Sequence, residues 1–200
     1  MPKALNIIRD EHRSIAAILH GMEYFVEKIR ARKAKIDSRV FRAMIYYLDT
    51  FSERMHHPKE DRYLFSAMRK HGGEAAAIVA ELEKEHAVGG ESLRRLEQCL
   101  MRYEEGGEKE FPAFARAVET FVRDYHEHMR KEEQIAFPLA ERLLNASDWL
   151  MIGHAIEENR GPLAVECDPL AAERETRDFE KLFSRIVNLA PPPIGVGPDA

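Results

Sequence analysis

The sequence predicts an all-α fold: an antiparallel up-down-up-down four-helix bundle with a C-terminal helical extension. Three observations carry that expectation. Apolar residues recur every three or four positions through four long stretches, short polar or Gly-containing breaks separate them, and no stretch alternates with the period of two that a half-buried strand needs. Four amphipathic helices on short connections bury their stripes by packing against one another.

The first helix carries Leu5, Ile8, His12, Ile15, Leu19, Met22, Val26 and Ile29 on one stripe. A basic stretch from Arg30 to Lys35 interrupts it, and Asp37 or Ser38 offers a side-chain oxygen to cap the next helix. That second helix carries Phe41, Met44, Leu48, Phe51 and Met55 and runs to about His71, where Gly72 and Gly73 permit a left-handed turn. Pro58 inside it removes a backbone donor and is expected to kink it. The third stripe is Val79, Leu82, His86, Gly89, Leu93, Leu96, Leu100 and Tyr103, ending at Gly106 and Gly107. The fourth is Phe111, Phe114, Val118, Phe121, Tyr125, His128, Glu132, Ile135, Leu139 and Leu143. Residues 1–145 form the expected bundle and 146–190 the helical extension, with one helix from Ser147 or Asp148 to Gly161 and another around Ala171 to Leu189. The proline-rich tail, 191–200, is expected to be extended or disordered.

Composition removes several function classes. The 200 residues are 44% hydrophobic and 32% charged, which places the chain among soluble globular proteins. Thirty-five acids against thirty bases give a net charge of -5 with no basic block, so no nucleic-acid partner is expected. The longest apolar run, Ala75 to Ala80, is far short of a membrane span, and no secretory segment opens the chain, so the expectation is a cytoplasmic protein without a membrane partner. Two cysteines, Cys99 and Cys167, are too few for a disulfide scaffold or a thiolate metal site. Nine histidines among many carboxylates call for another explanation.

Self-comparison shows a duplicated helical hairpin. HHPKEDRYLF from His56 aligns with HMRKEEQIAF from His128, so His56 and Glu60 correspond to His128 and Glu132. Upstream, Glu11, His12 and Leu19 correspond to Glu85, His86 and Leu93. In an antiparallel hairpin, residues equidistant from the loop lie at one height. The midpoint of His12 and His56 is Ala34, that of His56 and His86 is His71, and that of His86 and His128 is Gly107, each in an expected loop. The four histidines therefore share a layer, and each glutamate lies one turn from its histidine on the same face.

One His or Glu on a bundle stripe is ordinarily a hydrogen-bonded or partly exposed residue. Four imidazoles and two carboxylates buried unpaired in one layer would cost several kcal/mol each, which a marginally stable fold does not tolerate. A cation removes that cost. Mixed imidazole and carboxylate ligation suits iron, manganese or zinc, and two carboxylates able to bridge point to two ions, each with two imidazoles and both glutamates. Zinc is content with four ligands, whereas iron takes five or six and keeps reactive positions open.

At these residues the sequence resembles the hemerythrin-like, HHE cation-binding family: a His in helix one, HHPKE in helix two, EH in helix three, and HMRKEE followed by FP in helix four. The resemblance covers roughly residues 1–145 and implies a four-helix bundle around a non-haem di-iron centre. It implies metal ligands His12, His56, Glu60, His86, His128 and Glu132, with the glutamates bridging, and two iron ions (Fe2+/Fe3+) joined by an oxo or hydroxo group; manganese or zinc are the alternatives. The implied partner is a small diatomic or peroxide ligand (O2, peroxide or NO), bound or reduced with electrons from a donor that the sequence does not name. A metal-dependent sensor, an iron store and a di-iron protein of iron-sulfur cluster repair are the other functions open to such a centre, and a homodimer is also open.

Among other residues, Gly89 and Gly90 stand where the first half has Ile15 and Ala16, so the metal on the third-helix side is expected to be less shielded. Tyr125, one turn before His128, and Tyr63, one turn after Glu60, are core residues that could also place a phenol near the centre. His57 and His126 fall off the stripe as solvated or outer groups, and His20, His71 and His154 read as surface or cap residues.

Overall fold

A computed structural model describes residues 2–32, 36–157, 181–190 and 194. All regular structure among these residues is helical. Helix α1 spans Lys3–Arg30. Helix α2 runs continuously through Ser38–Tyr47, Leu48–His56, His57–Lys59, Glu60–Phe65 and Ser66–Arg69, with the second and fourth of these stretches wound as π-helix. Helix α3 is Gly73–Gly106, followed by one 3-10 turn at Gly107–Lys109. Helix α4 comprises Phe111–Lys131, a π turn at Glu132–Ala136, and Phe137–Leu143. Helix α5 is Ala146–Glu157, and residues 181–189 form helix α6.

Local chemistry sets these boundaries. The Asp37 side chain accepts from the Arg39 backbone N–H at 2.9 Å and caps α2. Gly72 and Gly73 turn from α2 into α3 with φ of 66° and 51°, a region where a Cβ is strained. Asn145 Oδ1 accepts from the N–H groups of Ser147 and Asp148, so α5 starts at Ala146. Pro58 and Pro138 each deny one carbonyl its ordinary donor, and a wide π turn lies next to each of them.

The buried apolar residues form two clusters, and each long helix passes from one to the other. One cluster holds Leu5 and Ile8 of α1, Leu64, Phe65 and Met68 of α2, Val79 and Leu82 of α3, and Phe137 and Ala140 of α4. The other holds Ile15 to Val26, Val40 to Leu48, Leu93 to Leu100, and Phe114 to Tyr125. The four helices cross in alternating order: α1 and α3 leave the first cluster for the second, and α2 and α4 return. Helix α3 packs along α4, α1 along α4, and α2 along α3. Ile152 and Ile156 of α5 join the first cluster, while Phe183, Ile186 and Ala190 join the second.

One expectation from the stripe changes. Ile135 is 41% exposed, because the π turn at Glu132–Ala136 holds an extra residue and passes the buried position to Ala136 and Phe137. The helix continues through Pro58, with a π stretch on either side of it. Ala34, Gly161, Cys167, residues 171–180 and nearly all of the 191–200 tail lie outside the described residues.

Candidate metal centre

Between the two apolar clusters lies one polar layer. His12 of α1, His56 and Glu60 of α2, His86 of α3, and His128 and Glu132 of α4 are all buried there, both glutamates with no exposed surface at all. Glu60 and Glu132 each open a π turn.

Each carboxylate spans both histidine pairs. Glu60 Oε1 is 3.7 Å from His12 Nε2, while its Oε2 is 3.5 Å from His56 Nε2 and 3.8 Å from His86 Nε2. Glu132 Oε2 is 3.2 Å from His12 Nε2, and its Oε1 lies 3.3 Å from His128 Nε2 and 3.6 Å from His86 Nε2. Nε2 of His86 and Nε2 of His128 are 3.0 Å apart. His12 Nε2 and all four oxygens of Glu60 and Glu132 are buried without an aligned hydrogen-bond partner. Five unsatisfied polar atoms converging on one space is the arrangement that a cation satisfies. The triads His12–His56–Glu60 and Glu60–His86–Glu132 both have ligand atoms close enough to hold one ion.

The opposite nitrogen of every histidine in this layer is bound to a carboxylate. His12 Nδ1 donates to Glu133 at 2.9 Å, His56 Nδ1 to Glu11 at 2.7 Å, His86 Nδ1 to Asp61 at 2.7 Å, and His128 Nδ1 to Glu85 at 2.8 Å. An ionised carboxylate only accepts, so Nδ1 carries a proton, and Nε2 is the nitrogen left to bind an ion once its own proton is released. Lys59 holds Glu11 at 2.6 Å, and Lys131 pairs with Glu85. The duplication runs through this outer ring. Glu11, Lys59 and Asp61 of one half play the parts of Glu85, Lys131 and Glu133 in the other. Phe137 stacks on His12 at 5.9 Å as Phe65 stacks on His86 at 5.7 Å.

The electrostatics agree with a site built for positive charge. Burial alone would raise Glu132, yet the facing His128, His12 and His86 hold its carboxyl well below the ordinary range. Burial would lower His86 and His128, but Asp61 and Glu132 push the first to about 10, and Glu132 and Glu85 push the second to about 9.

Beside this symmetrical layer is a one-sided group that the stripe pattern leaves out. His57 is buried, not solvated. It stacks on His86 with centroids 4.0 Å apart and an interplanar angle of 11°, and its Nε2 is 2.9 Å from the Tyr125 hydroxyl. Ser52 also bonds that hydroxyl. Burial and the neighbouring His86, His56 and His128 depress His57 far below the usual imidazole range, so it is neutral. His57 lies near enough to His86 and His128 to share an ion by distance. The stacking argues against that, because a metal lies in the plane of each imidazole that binds it and two parallel planes do not meet. Glu53 Oε1 is 3.5 Å from His57 Nδ1, and both atoms are buried without hydrogen-bond partners. The sequence signal for His57 is the first two letters of HHPKE, two adjacent histidines that a helix sends to different neighbours.

The remaining candidates sort by burial. His20, His71, His126 and His154 are exposed, Tyr63 is half-buried against the first apolar cluster, and Cys99 is half-buried against the second. Gly89 faces Glu53, where an added Cβ would meet Oε2 at 2.6 Å. A cavity of about 580 Å3 opens between α3 and α4 onto His57, His86, Tyr125 and His128, with Gly89 in its wall. On the other side, Phe51 stacks on His56 at 6.4 Å. No helix among the described residues is long and apolar enough to cross a membrane.

Residues 3–140 match the family model described as Hemerythrin HHE cation binding domain. Comparison with curated proteins and with solved structures gives no significant match.

Proposed function

The chain belongs to the hemerythrin HHE cation-binding domain family, and from that premise we propose that it is a non-haem di-iron protein that binds or reduces a small oxidant (O2, peroxide or NO). The observation that carries this reading is the set of five unsatisfied buried atoms, His12 Nε2 and the four oxygens of Glu60 and Glu132. In this reading His12 and His56 hold one ion, His86 and His128 the other, and Glu60 and Glu132 span the pair. The alternating passage of the four long helices between two apolar clusters supports an antiparallel bundle as the scaffold. Residues 1–145 form that bundle, and the later helices dock on it as an extension.

When bound, two iron ions supply two electrons, one from each. The chain does the rest. Glu133, Glu11, Asp61 and Glu85 fix the imidazole tautomers and ring orientations, so each Nε2 lone pair stays aimed at the centre. Phe137 and Phe65 cover the rings of His12 and His86, and Phe51 that of His56, limiting water around them. Tyr125 keeps its proton, because burial together with Glu53, Glu132 and Glu60 holds it far above the ordinary phenol range. Its hydroxyl is hydrogen-bonded to His57 Nε2 and to Ser52, so it holds His57 against the ring of His86. The cavity makes the His86–His128 side the entrance for the oxidant.

Anaerobic reduction followed by mixing with peroxide, oxygen or nitric oxide tests the proposal. The expected result is oxidation of the centre by at least one of them; a reduced, metal-loaded protein inert to all three contradicts it. Repeated turnover with a reductant marks a catalyst, and one event per chain marks a sensor.

A further inference from the structure

We infer that the cavity between α3 and α4 seats the uncharged, apolar body of an organic hydroperoxide, with its peroxide end at His86 and His128. This rests on the function proposed above and names the substrate class. The cavity measures about 580 Å3. Dioxygen, nitric oxide and hydrogen peroxide are each comparable in size to one or two waters, whose share of liquid volume is about 30 Å3, whereas organic ligands occupy pockets of roughly 300–1,000 Å3. Val88, Leu96, Ala117 and Phe121 give it apolar walls, and Val88 stands half-exposed to it.

Outside the ligand layer, the charges around the cavity do not favour an ionised ligand. Arg95 pairs with Glu91, Asp124 with Arg123, Glu127 with Arg130, and Glu85 with His128 and Lys131. Arg116, the remaining lining charge, is exposed to water. At the inner end, His57, His86, Tyr125 and His128 converge, so a bound molecule lies with one end at the ligand layer. The duplication does not require this space, since the positions of Gly89 and Gly90 are Ile15 and Ala16 in the other half. Reduction of R–OOH breaks the O–O bond and consumes two electrons and two protons taken from solvent water, releasing R–OH and water. The two electrons come from two ferrous ions, each becoming ferric, and a one-electron protein donor restores them.

The probe is 2-phenyl-2-propanol, the alcohol formed from cumene hydroperoxide, titrated by NMR into the full chain in metal-free and zinc-loaded form. The expected result is saturable binding in the millimolar range or tighter, with cross-peaks to the methyls of Val88 and Leu96. Filling the cavity with Ala117→Trp, or from the opposite wall with Val88→Trp, abolishes those cross-peaks while helical content stays that of the parent. In the iron-loaded, reduced protein, the ratio of oxidation rates with cumene hydroperoxide and hydrogen peroxide falls at least tenfold in either folded variant. Absence of saturable binding, or binding and rate ratio unchanged in the folded variants, overturns the inference. Failure of the di-iron reading shows separately, as fewer than one metal ion per chain, whatever the probe does with the metal-free protein.

Discussion

Asp61 accepts the Nδ1 proton of His86 at 2.7 Å, reaching from α2 to α3 one residue after Glu60. One short segment thus sends a carboxylate into the centre and the next carboxylate to the back of a histidine from another helix. Glu132 and Glu133 repeat the device toward His12. If the outer carboxylate fixes the imidazole, Asp61→Ala weakens metal binding by about 10–100-fold. Competition with a chromophoric chelator measures it, with circular dichroism as the check on folding. Parent-like affinity in a folded variant contradicts this role.

Glu53 supplies a pH test away from the ligands. Burial is the main cause that raises its carboxyl from 4.5 to about 7; His86 and His128 oppose the shift and Asp49 adds to it. The folded chain therefore keeps a proton that the unfolded chain has released between pH 4.5 and 7, so stability falls as pH rises through that window and levels off above it. Glu53→Gln has no such loss. In metal-free protein the variant gains up to about 3 kcal/mol over the parent between the bottom and top of the window, at 1.36 kcal/mol per unit. Urea titrations at several pH values read the difference, and a gap that does not grow with pH refutes the assignment.

Gly89→Leu tests the entrance. Its Cβ would meet Glu53 Oε2 at 2.6 Å, so that carboxylate must shift, and Gly89 itself lines the cavity. Oxidation of the reduced centre is expected to slow about tenfold or more, equivalent to about 1.4 kcal/mol of barrier, at parent metal content. Stopped-flow mixing with peroxide measures it, and an unchanged rate means that the oxidant arrives by another route.

Phe114 anchors the apolar cluster on the α4 side. It is fully buried, packs edge-on to Phe41 at 5.0 Å and stacks on Tyr103 at 5.5 Å. Phe114→Ala is expected to cost about 3–5 kcal/mol in chemical denaturation. A cost under about 1 kcal/mol would mean that the cluster repacks around the gap.

Much of this was legible as periodicity and repetition. The stripes from Leu5 to Val26, from Val79 to Leu100, and from Phe114 to His128 are buried except at the half-buried Gly89, because a regular α-helix repeats every 3.6 residues and its pattern is written locally. The six residues picked out by the duplicated motif meet in one buried layer, because equal distance from the connecting loops puts them at one height. Height does not fix rotation. Which carboxylate meets which Nδ1 depends on how neighbouring helices turn toward each other, so Glu133 and Asp61 as partners of His12 and His86 could not be read from spacing. The π turns were hidden for a related reason: one extra residue per turn shifts the phase without a residue type of its own, and Ile135 moves to the surface. The prolines next to those turns are the signal that could have marked them. The repeat does not mark His57, whose counterpart is Met129, because its contacts lie on the side where the two halves differ.

Whether Glu60 and Glu132 join two ions is decided by the metal-to-chain ratio after anaerobic loading with ferrous iron and removal of excess, in the parent and in the Glu60→Ala/Glu132→Ala double variant. About two irons per chain are expected in the parent, as in two-metal sites, and less than one in a folded double variant. A parent ratio below one, or a double variant that retains the parent ratio, contradicts that bridging role.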